Sequence, residues 1–239
     1  MTAERWIRIG IIYPASGIAD HEFYQMAPPN ITIHVTRIPL EASLPEHLLK
    51  LSDYAVEAAL LLAQAKVDLI AFCCTAGSFI HGVGFDLEII RKIEKHTGIS
   101  ATTTSTAVVS ALKKLGAVRI AVVTPYIDEI NRLEKSFLEG NGFKVLRIEG
   151  LGLKDSVSIG MVEPEELYWL VSRVYTPDAD VIFISCGGLR TVNLIERFEA
   201  EFKRPVISSN QATMWEILRK TGFNRPITGF GRLLREHLP

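Results

Sequence analysis

The stretch VDLIAFCCTAGSFIHG, residues 67–82, carries an apolar strand into two adjacent cysteines and then into a turn of Thr, Gly and Ser. A second stretch matches it: DLIAFCCTAGSF at 68–79 aligns with DVIFISCGGLRT at 180–191, so that Cys74 falls on Cys186. Upstream of each, RIGIIYP at 8–14 matches RIAVVTP at 119–125. A repeat of this kind predicts two similar lobes.

The class is α/β, because short β-branched runs alternate with longer stretches of helical period. Each lobe is predicted to be a parallel sheet flanked by helices, with lobe one formed by residues 1–113 plus 213–239 and lobe two by 114–212. If the lobes face each other about a pseudo-twofold axis, Cys74 and Cys186 approach one cleft from opposite sides. Strands are predicted at 7–14, 31–39, 68–74, 119–125, 144–150, 180–186 and 204–209, and helix ends at Gly116 and Gly222.

The composition limits the kinds of binding partner that we expect. The net charge is −1 with acids and bases scattered, which excludes a basic surface for nucleic acid or membrane. No apolar run approaches the roughly 20 residues that span a bilayer. Three cysteines without a signal-like N-terminus favour a reduced, cytoplasmic protein. We therefore expect a small-molecule substrate, and the sequence leaves the oligomeric state open, a homo-oligomer included.

A side chain at the carboxyl end of a parallel strand points into the crevice where such sheets bind ligands. We expect the helix after each cysteine to lower the thiol pKa below its free value of about 8.5. Two such thiols on opposite faces of one carbon permit two-base proton transfer. The charge that develops on a neighbouring carboxylate then needs donors, predicted at Thr75, Ala76, Gly77 and Ser78 and at the amides of Gly187 and Gly188.

Several other residues that could take part in a functional site have a simpler structural or surface role. Strand alternation turns Cys73 to the opposite face, where it packs in the core. No CxxC pair and no histidine two or three residues from a cysteine is present, so no metal is predicted. Thr102 and Thr103 fit a capped helix start, and His81 fits a surface position. GFGRLL at 229–234 is not a nucleotide-binding GxGxxG and predicts a turn before a last helix.

Several motifs together resemble the aspartate/glutamate racemase superfamily, in the branch that holds arylmalonate decarboxylase and maleate cis-trans isomerase. They are YPASG, CTAGSF, TTTSTAVVSALKKLG, TPYIDEIN, SCGGL, PVISSN and GFGRLL. The resemblance implies an enzyme without a cofactor, with its site between two lobes. It implies that Cys186 handles a proton at the substrate α-carbon, that Thr75, Tyr126 and Gly187 bind a carboxylate, and that Pro14 lies in the first-strand loop of the site.

One position divides the branch. The resemblance places a glycine at Cys74 in the decarboxylase, whereas the isomerases and racemases keep both cysteines, the first as a nucleophile. Maleate isomerases carry asparagines that hold the substrate carboxylates where this chain has Ser16 or Ser156, so the resemblance implies that Ser16 contacts the substrate. The decarboxylase has an aromatic-pocket tyrosine where this chain has Leu48.

We therefore predict a cofactor-independent two-cysteine isomerase acting next to a carboxylate, on a small carboxylic or dicarboxylic acid. It either racemises the carbon or isomerises an adjacent double bond, by two-base proton transfer or by thiolate addition. A malonate-type decarboxylase is the alternative enzyme. A non-catalytic carboxylate-binding protein is the alternative class.

Overall fold

The computed structural model describes residues 5–238, which form two four-stranded parallel sheets flanked by helices. The first sheet holds β1 (Ile7–Pro14), β2 (Ile31–Ile38), β3 (Leu69–Phe72) and β4 (Ala101–Thr103) in the order β2-β1-β3-β4. The second holds β5 (Arg119–Thr124), β6 (Lys144–Gly150), β7 (Val181–Ile184) and β8 (Val206–Ser208) in the order β6-β5-β7-β8. The identical orders confirm the α/β class and the internal repeat.

Helices connect the strands. In the first half they are α1 (His21–Met26), α2 (Pro45–Leu51), α3 (Ala55–Gln64), α4 (Thr75–Phe79), α5 (Phe85–Thr97) and α6 (Thr104–Lys114). In the second they are α7 (Asp128–Gly140), α8 (Ser156–Gly160), α9 (Pro164–Val174), α10 (Ile195–Phe202), α11 (Ser209–Lys220) and α12 (Arg232–Glu236). All seven predicted strands are present, and β4 is an additional short strand.

Two of the four central strands, β3 and β7, are buried throughout. LIAF of β3 and VIFI of β7 carry apolar residues on both faces, as expected for parallel strands covered by helices on each side. At the start of each sheet an aspartate fixes the neighbouring strand: Asp68 accepts the backbone N–H of Arg8, and Asp180 accepts that of Arg119, each over 2.8 Å. The repeat therefore extends to individual hydrogen bonds.

The helix boundaries follow local signals in the sequence. The Thr103 side chain caps α6 by accepting the N–H of Thr106, and Ser208 caps α11 in a capping box with Gln211. Gly116 and Gly222 stand just past the ends of these helices with φ of 68° and 82°, the left-handed region that glycine reaches at low cost. The predicted cap at Thr103 and both predicted helix ends are confirmed, whereas Thr102 lies in β4.

Helices α6 and α11 pack against each other, with the Thr213 hydroxyl donating to Thr104 over 3.1 Å. α11 contacts strands of both sheets, namely β3, β4 and β8. The predicted division into 1–113 plus 213–239 and 114–212 cuts this helix near its start and stays a proposal.

Candidate active site

Four strand ends converge on one cavity. In each sheet the strand order reverses between the two central strands, and ligands bind at such a switch point outside the carboxyl ends. Pro14 ends β1 and Cys74 follows β3, while Tyr126 follows β5 and Cys186 follows β7. They border a cavity whose empty space, its solvent-open mouth included, is about 400 Å³. It is lined by Tyr13, Pro14, Gly17, Leu40, Ser43, Leu48, Cys73, Cys74, Thr75, Ala76, Tyr126, Ser156, Ile159, Cys186, Gly187 and Gly188. The two cysteines therefore share one cavity, one from each half of the repeat.

Cys74 is the N-cap residue of α4. Its backbone is extended and its sulfur accepts the N–H of Gly77 over 3.4 Å. Burial raises the pKa of its thiol to about 12; the Gly77 N–H opposes the shift, and a charge on Cys186 adds to it. The two sulfurs are thus close enough for one thiolate to disfavour the other.

Cys186 has a strained backbone, because its φ of 97° is unfavourable for every residue except glycine. Its N–H donates to the Ser209 hydroxyl over 3.0 Å, and its sulfur accepts the N–H of Gly188 over 3.3 Å. Burial raises the pKa of this thiol to about 11, while hydrogen bonds from the Tyr126 hydroxyl and from Gly188 lower it. Strain of this kind persists where the surroundings hold a residue in place, and it is common at functional sites.

The predicted lowering of both thiol pKa values is wrong. α4 has only five residues, and Cys186 is followed by turns up to α10 rather than by a helix. The N–H groups do act in the expected direction, but removal of the sulfur from water is the larger effect. Both thiols therefore hold their protons near neutral pH and are suited to act as acids until one is ionised.

Most of the predicted carboxylate donors lie at the cavity wall, whereas Gly77 does not line it and gives its N–H to the Cys74 sulfur. Thr75, Tyr126, Gly187 and Gly188 all line it, as does Pro14. Within residues 5–238 the amides of Thr75, Ala76 and Gly187 have no hydrogen-bond acceptor, so they remain available to an anion. The Thr75 hydroxyl already donates to Ser209, which leaves its backbone N–H as the donor free for a ligand.

Two predicted substrate contacts are corrected. Ser78 is fully buried behind the turn, where its hydroxyl bonds the carbonyls of Cys74 and Thr75 and the hydroxyl of Ser105. Ser16 does not line the cavity, and its hydroxyl donates to the Leu40 carbonyl over 2.7 Å. Both side chains hold segments of the wall instead of facing a ligand.

Other parts of the wall were not singled out as substrate contacts from the sequence. Leu40 and Ser43 come from the connection between β2 and α2, and Tyr13 precedes Pro14 on β1. Ser156 and Ile159 lie on α8, and Leu48 on α2. A proline-containing loop and short helices carry no periodic signal. Tyr13, on a predicted strand next to a predicted site residue, could have been found, and the family resemblance had already pointed to the positions of Leu48 and Ser156.

Cys73 also borders the cavity, which the sequence did not predict. Its side chain is 2% exposed and its thiol points back to the Ala71 carbonyl at 3.6 Å. Burial raises its pKa well above the ordinary value, and the charge of Cys74 raises it further. Cys73 is therefore the least suited of the three free cysteines to ionise.

Within the part of the chain that the structure covers, no three His, Cys, Asp or Glu side chains are grouped so as to hold a metal ion. No helix among residues 5–238 has the length and apolar character needed to cross a bilayer.

Comparison with known proteins places this site in a family. The family model of arylmalonate decarboxylase matches residues 9–234. The chain belongs to the arylmalonate decarboxylase family. Arylmalonate decarboxylase of Bordetella bronchiseptica is 30% identical over 231 residues, which is 95% of each chain.

Solved structures of maleate isomerases share the fold of this family member. A cysteine-to-alanine mutant of the maleate isomerase of Pseudomonas putida S16, solved with maleate, superposes with a TM-score of 0.94 at 26% identity, over 98% of this chain and 99% of the other. A mutant of the Nocardia farcinica enzyme, solved with a covalently bound succinylcysteine intermediate, gives 0.91 at 25% identity, over 96% and 98%. The predicted branch and the predicted two-lobed fold are thereby confirmed.

Proposed function

We propose that this protein is a cofactor-independent two-cysteine isomerase that acts on a small dicarboxylic acid, with cis-trans isomerisation of a double bond as its reaction. The single observation that supports this most directly is the sharing of one cavity by Cys74 and Cys186, each at the end of a central strand. A cytoplasmic location belongs to the same proposal and is supported by three free cysteines.

The steps follow from the chemistry of the two sulfurs. The Cys74 thiol first loses its proton to solvent, which gives the thiolate that starts the cycle. This thiolate adds to one alkene carbon; the π electron pair moves to the neighbouring carbon, which takes the proton of the Cys186 thiol. The adduct is a succinyl thioether, and its central carbon–carbon bond rotates freely. Cys186, now a thiolate, removes a proton from the same carbon, the double bond re-forms, and the carbon–sulfur bond breaks to return both cysteines to their starting states.

The wall provides what the intermediate needs. Charge spreads onto the carboxylate next to the carbanion, and the amides of Thr75, Ala76 and Gly187 are the available donors for its oxygens. Burial raises the pKa of both thiols, so Cys186 holds its proton at neutral pH and can deliver it to a carbanion; the choice of Cys186 over Cys74 as the donor follows the family resemblance. Racemisation at the carbon next to a carboxylate uses the same two groups in a two-base reaction without covalent addition.

The test is a proton NMR time course in D₂O with maleate, substituted maleates, chiral 2-substituted acids and substituted malonates. We expect a change in alkene coupling or loss of an α-proton signal, and no such change with Cys74→Ala. Carbon dioxide release from malonates as the sole reaction, undiminished in Cys74→Ala, would overturn the isomerase in favour of decarboxylation. Binding of an acid without turnover of any member of the panel would instead indicate a carboxylate-binding protein.

Decarboxylation of a malonate is the second candidate, favoured by the apolar part of the wall. Leu40, Leu48 and Ile159 form a surface that suits an apolar substituent on the reacting carbon. Against it stands Cys74, because protonation after loss of carbon dioxide requires only one thiol.

A further inference from the structure

The carbonyl of Gly187 is held by two donors from different parts of the fold. The Tyr13 hydroxyl, at the end of β1, donates to it over 2.7 Å, and the Asn210 amide, in the first turn of α11, donates over 3.0 Å. Tyr13 and Asn210 are 1% and 2% exposed, so neither bond competes with bulk water. The orientation of the Gly187–Gly188 peptide is therefore fixed from both sides of its carbonyl.

Fixing this carbonyl also fixes an N–H. The described chain has no cis peptide bond, and in a trans peptide the C=O and the N–H of the next residue point in opposite directions. The N–H that shares the peptide with the Gly187 carbonyl belongs to Gly188, and it donates to the Cys186 sulfur over 3.3 Å. Glycine on both sides of this peptide means that no Cβ restrains it, so the restraint comes from Tyr13 and Asn210.

A buried carboxyl braces the arrangement. The Asn210 side-chain amide donates a second hydrogen bond, over 2.7 Å, to one carboxylate oxygen of Glu22 on α1. Its other oxygen accepts the backbone N–H groups of Thr191 and Val192, at the far end of the turn that begins with Cys186. Burial raises the pKa of Glu22, opposed by these three donors. The turn after Cys186 is thus tied at both ends to α1 and α11.

We propose that Tyr13 and Asn210, braced by Glu22, are positioning residues that aim the Gly188 N–H at Cys186 and so stabilise its thiolate. The inference rests on the proposed function only in giving Cys186 a chemical role. In the catalytic cycle the thiolate of Cys186 exists after it has delivered its proton, which is when an N–H directed at the sulfur is most needed.

Cys74 provides an internal reference. Its sulfur takes an N–H from Gly77, inside the first turn of α4, and no residue of the Gly187 network bonds this turn. The carbonyl after Cys74, that of Thr75, is held by the Ser105 hydroxyl over 3.1 Å. Changes in the Gly187 network should therefore alter Cys186 and leave Cys74 as it was.

The experiment measures thiol ionisation without any substrate. Alkylation by iodoacetamide is followed at fixed pH values from 6 to 9 by peptide mapping with fragmentation, which separates the three cysteines. The variants are Tyr13→Phe, which removes only a hydroxyl, and Asn210→Ala. Tyr175→Phe, a half-buried tyrosine packed on Phe202, is the matched control.

We expect Tyr13→Phe and Asn210→Ala each to slow Cys186 alkylation at fixed pH by roughly three- to tenfold, since tenfold corresponds to one pKa unit. Between pH 6 and 9 Cys186 stays largely protonated, so its charge does not act on Cys74, and Cys74 should keep its rate. Tyr175→Phe should change neither rate. Because both residues bond one carbonyl, the double variant should slow Cys186 by less than the product of the single effects.

An unchanged Cys186 profile in Tyr13→Phe overturns the proposal, and so does an equal shift at Cys74 and Cys186, which would mean a general loosening of the cavity. Failure of the isomerase proposal looks different, because it is a lack of turnover in the wild-type protein and leaves these thiol titrations unaffected.

Discussion

The hydroxyls of Thr75 and Ser209 lie 2.9 Å apart, and this hydrogen bond joins the turn after Cys74 to the backbone of Cys186, whose N–H donates to the same Ser209 oxygen over 3.0 Å. Both serine and threonine are buried. One side chain at the start of α11 therefore couples the positions of the two candidate catalytic cysteines.

Ser209→Ala should lower the free energy of unfolding by about 1 to 3 kcal/mol, because it leaves the buried Cys186 N–H and Thr75 hydroxyl without an acceptor. Urea denaturation measures the change. Ser172→Ala, which removes one bond from a half-buried hydroxyl to the Tyr168 carbonyl in α9, is the control and should cost less than about 1 kcal/mol. Equal losses in the two variants would contradict the coupling role.

Cys74→Gly should lower the isomerisation rate by roughly 10²- to 10⁴-fold, the range for loss of a group that handles bonds or protons at the reacting atoms. NMR with the acid that turns over measures it. Cys186→Ala should lose activity to a similar extent. Carbon dioxide release from aryl malonates is measured on the same variant. A Cys74→Gly protein that releases carbon dioxide and no longer isomerises supports the view that this position separates isomerases from decarboxylases. A Cys74→Gly protein that isomerises at the wild-type rate contradicts the role of Cys74.

Glu134 should make the protein less stable as the pH rises. Its carboxyl, on α7, is buried, one oxygen accepts the Ser185 hydroxyl, and the other has no partner among residues 5–238. Burial raises the pKa of Glu134 to about 8, opposed by the Ser185 bond. The folded state therefore holds this proton at pH values where the unfolded chain, titrating near 4.5, has released it.

Between about pH 4.5 and pH 8 the folded state binds more protons, so the free energy of unfolding should fall by up to about 1.4 kcal/mol per pH unit from this group. Glu134→Gln should make the slope shallower by the Glu134 contribution when wild type and variant are compared by urea denaturation at several pH values, while the raised pKa of Glu22 keeps its own contribution in both proteins. Glu139→Gln, an exposed change on the same helix, is the control and should keep it. A wild-type slope that persists in Glu134→Gln would show that the carboxyl is ionised in the folded protein.

Ser156→Asn should raise kcat/KM for maleate by roughly tenfold, because an amide at the cavity wall adds a hydrogen bond to a charged carboxylate. Ser156 is buried at the wall, and the next residue, Val157, is 48% exposed on the same helix. Val157→Asn is therefore the matched control. A gain in both variants would point to a change in α8 as a whole, and a loss in Ser156→Asn alone would mean that the site takes a bulkier acid than maleate.

Local sequence signals were enough to predict the strands, the repeat and several helix ends of this protein. The match of Cys74 to Cys186 predicted two equivalent sheets and the convergence of two cysteines. The repeat is visible in the sequence because the matching segments are strands that are buried on both faces. The helix ends at Gly116 and Gly222 follow from conformations that one residue determines.

What the sequence could not supply depends on contacts made in three dimensions. The direction of the thiol pKa shifts is set by burial, and Cys186 lies in a cavity whose wall comes from both halves of the chain. Ser78 has the right chemistry for a ligand, yet packing of α6 against its turn directs the hydroxyl to Ser105. Leu40 and Ser43 reach the wall from a loop whose path follows no pattern.

The backbone conformation of Cys186 affects which substitutions at this position would stabilise the protein. A residue held at φ of 97° costs about 1 to 3 kcal/mol for any side chain, and only glycine escapes that cost. The trade-off between stability and activity is therefore concentrated in one residue: the substitution that relaxes the turn most is the one that deletes the sulfur. A screen for thermal tolerance alone would favour glycine there, whereas a screen for turnover would retain the strained cysteine.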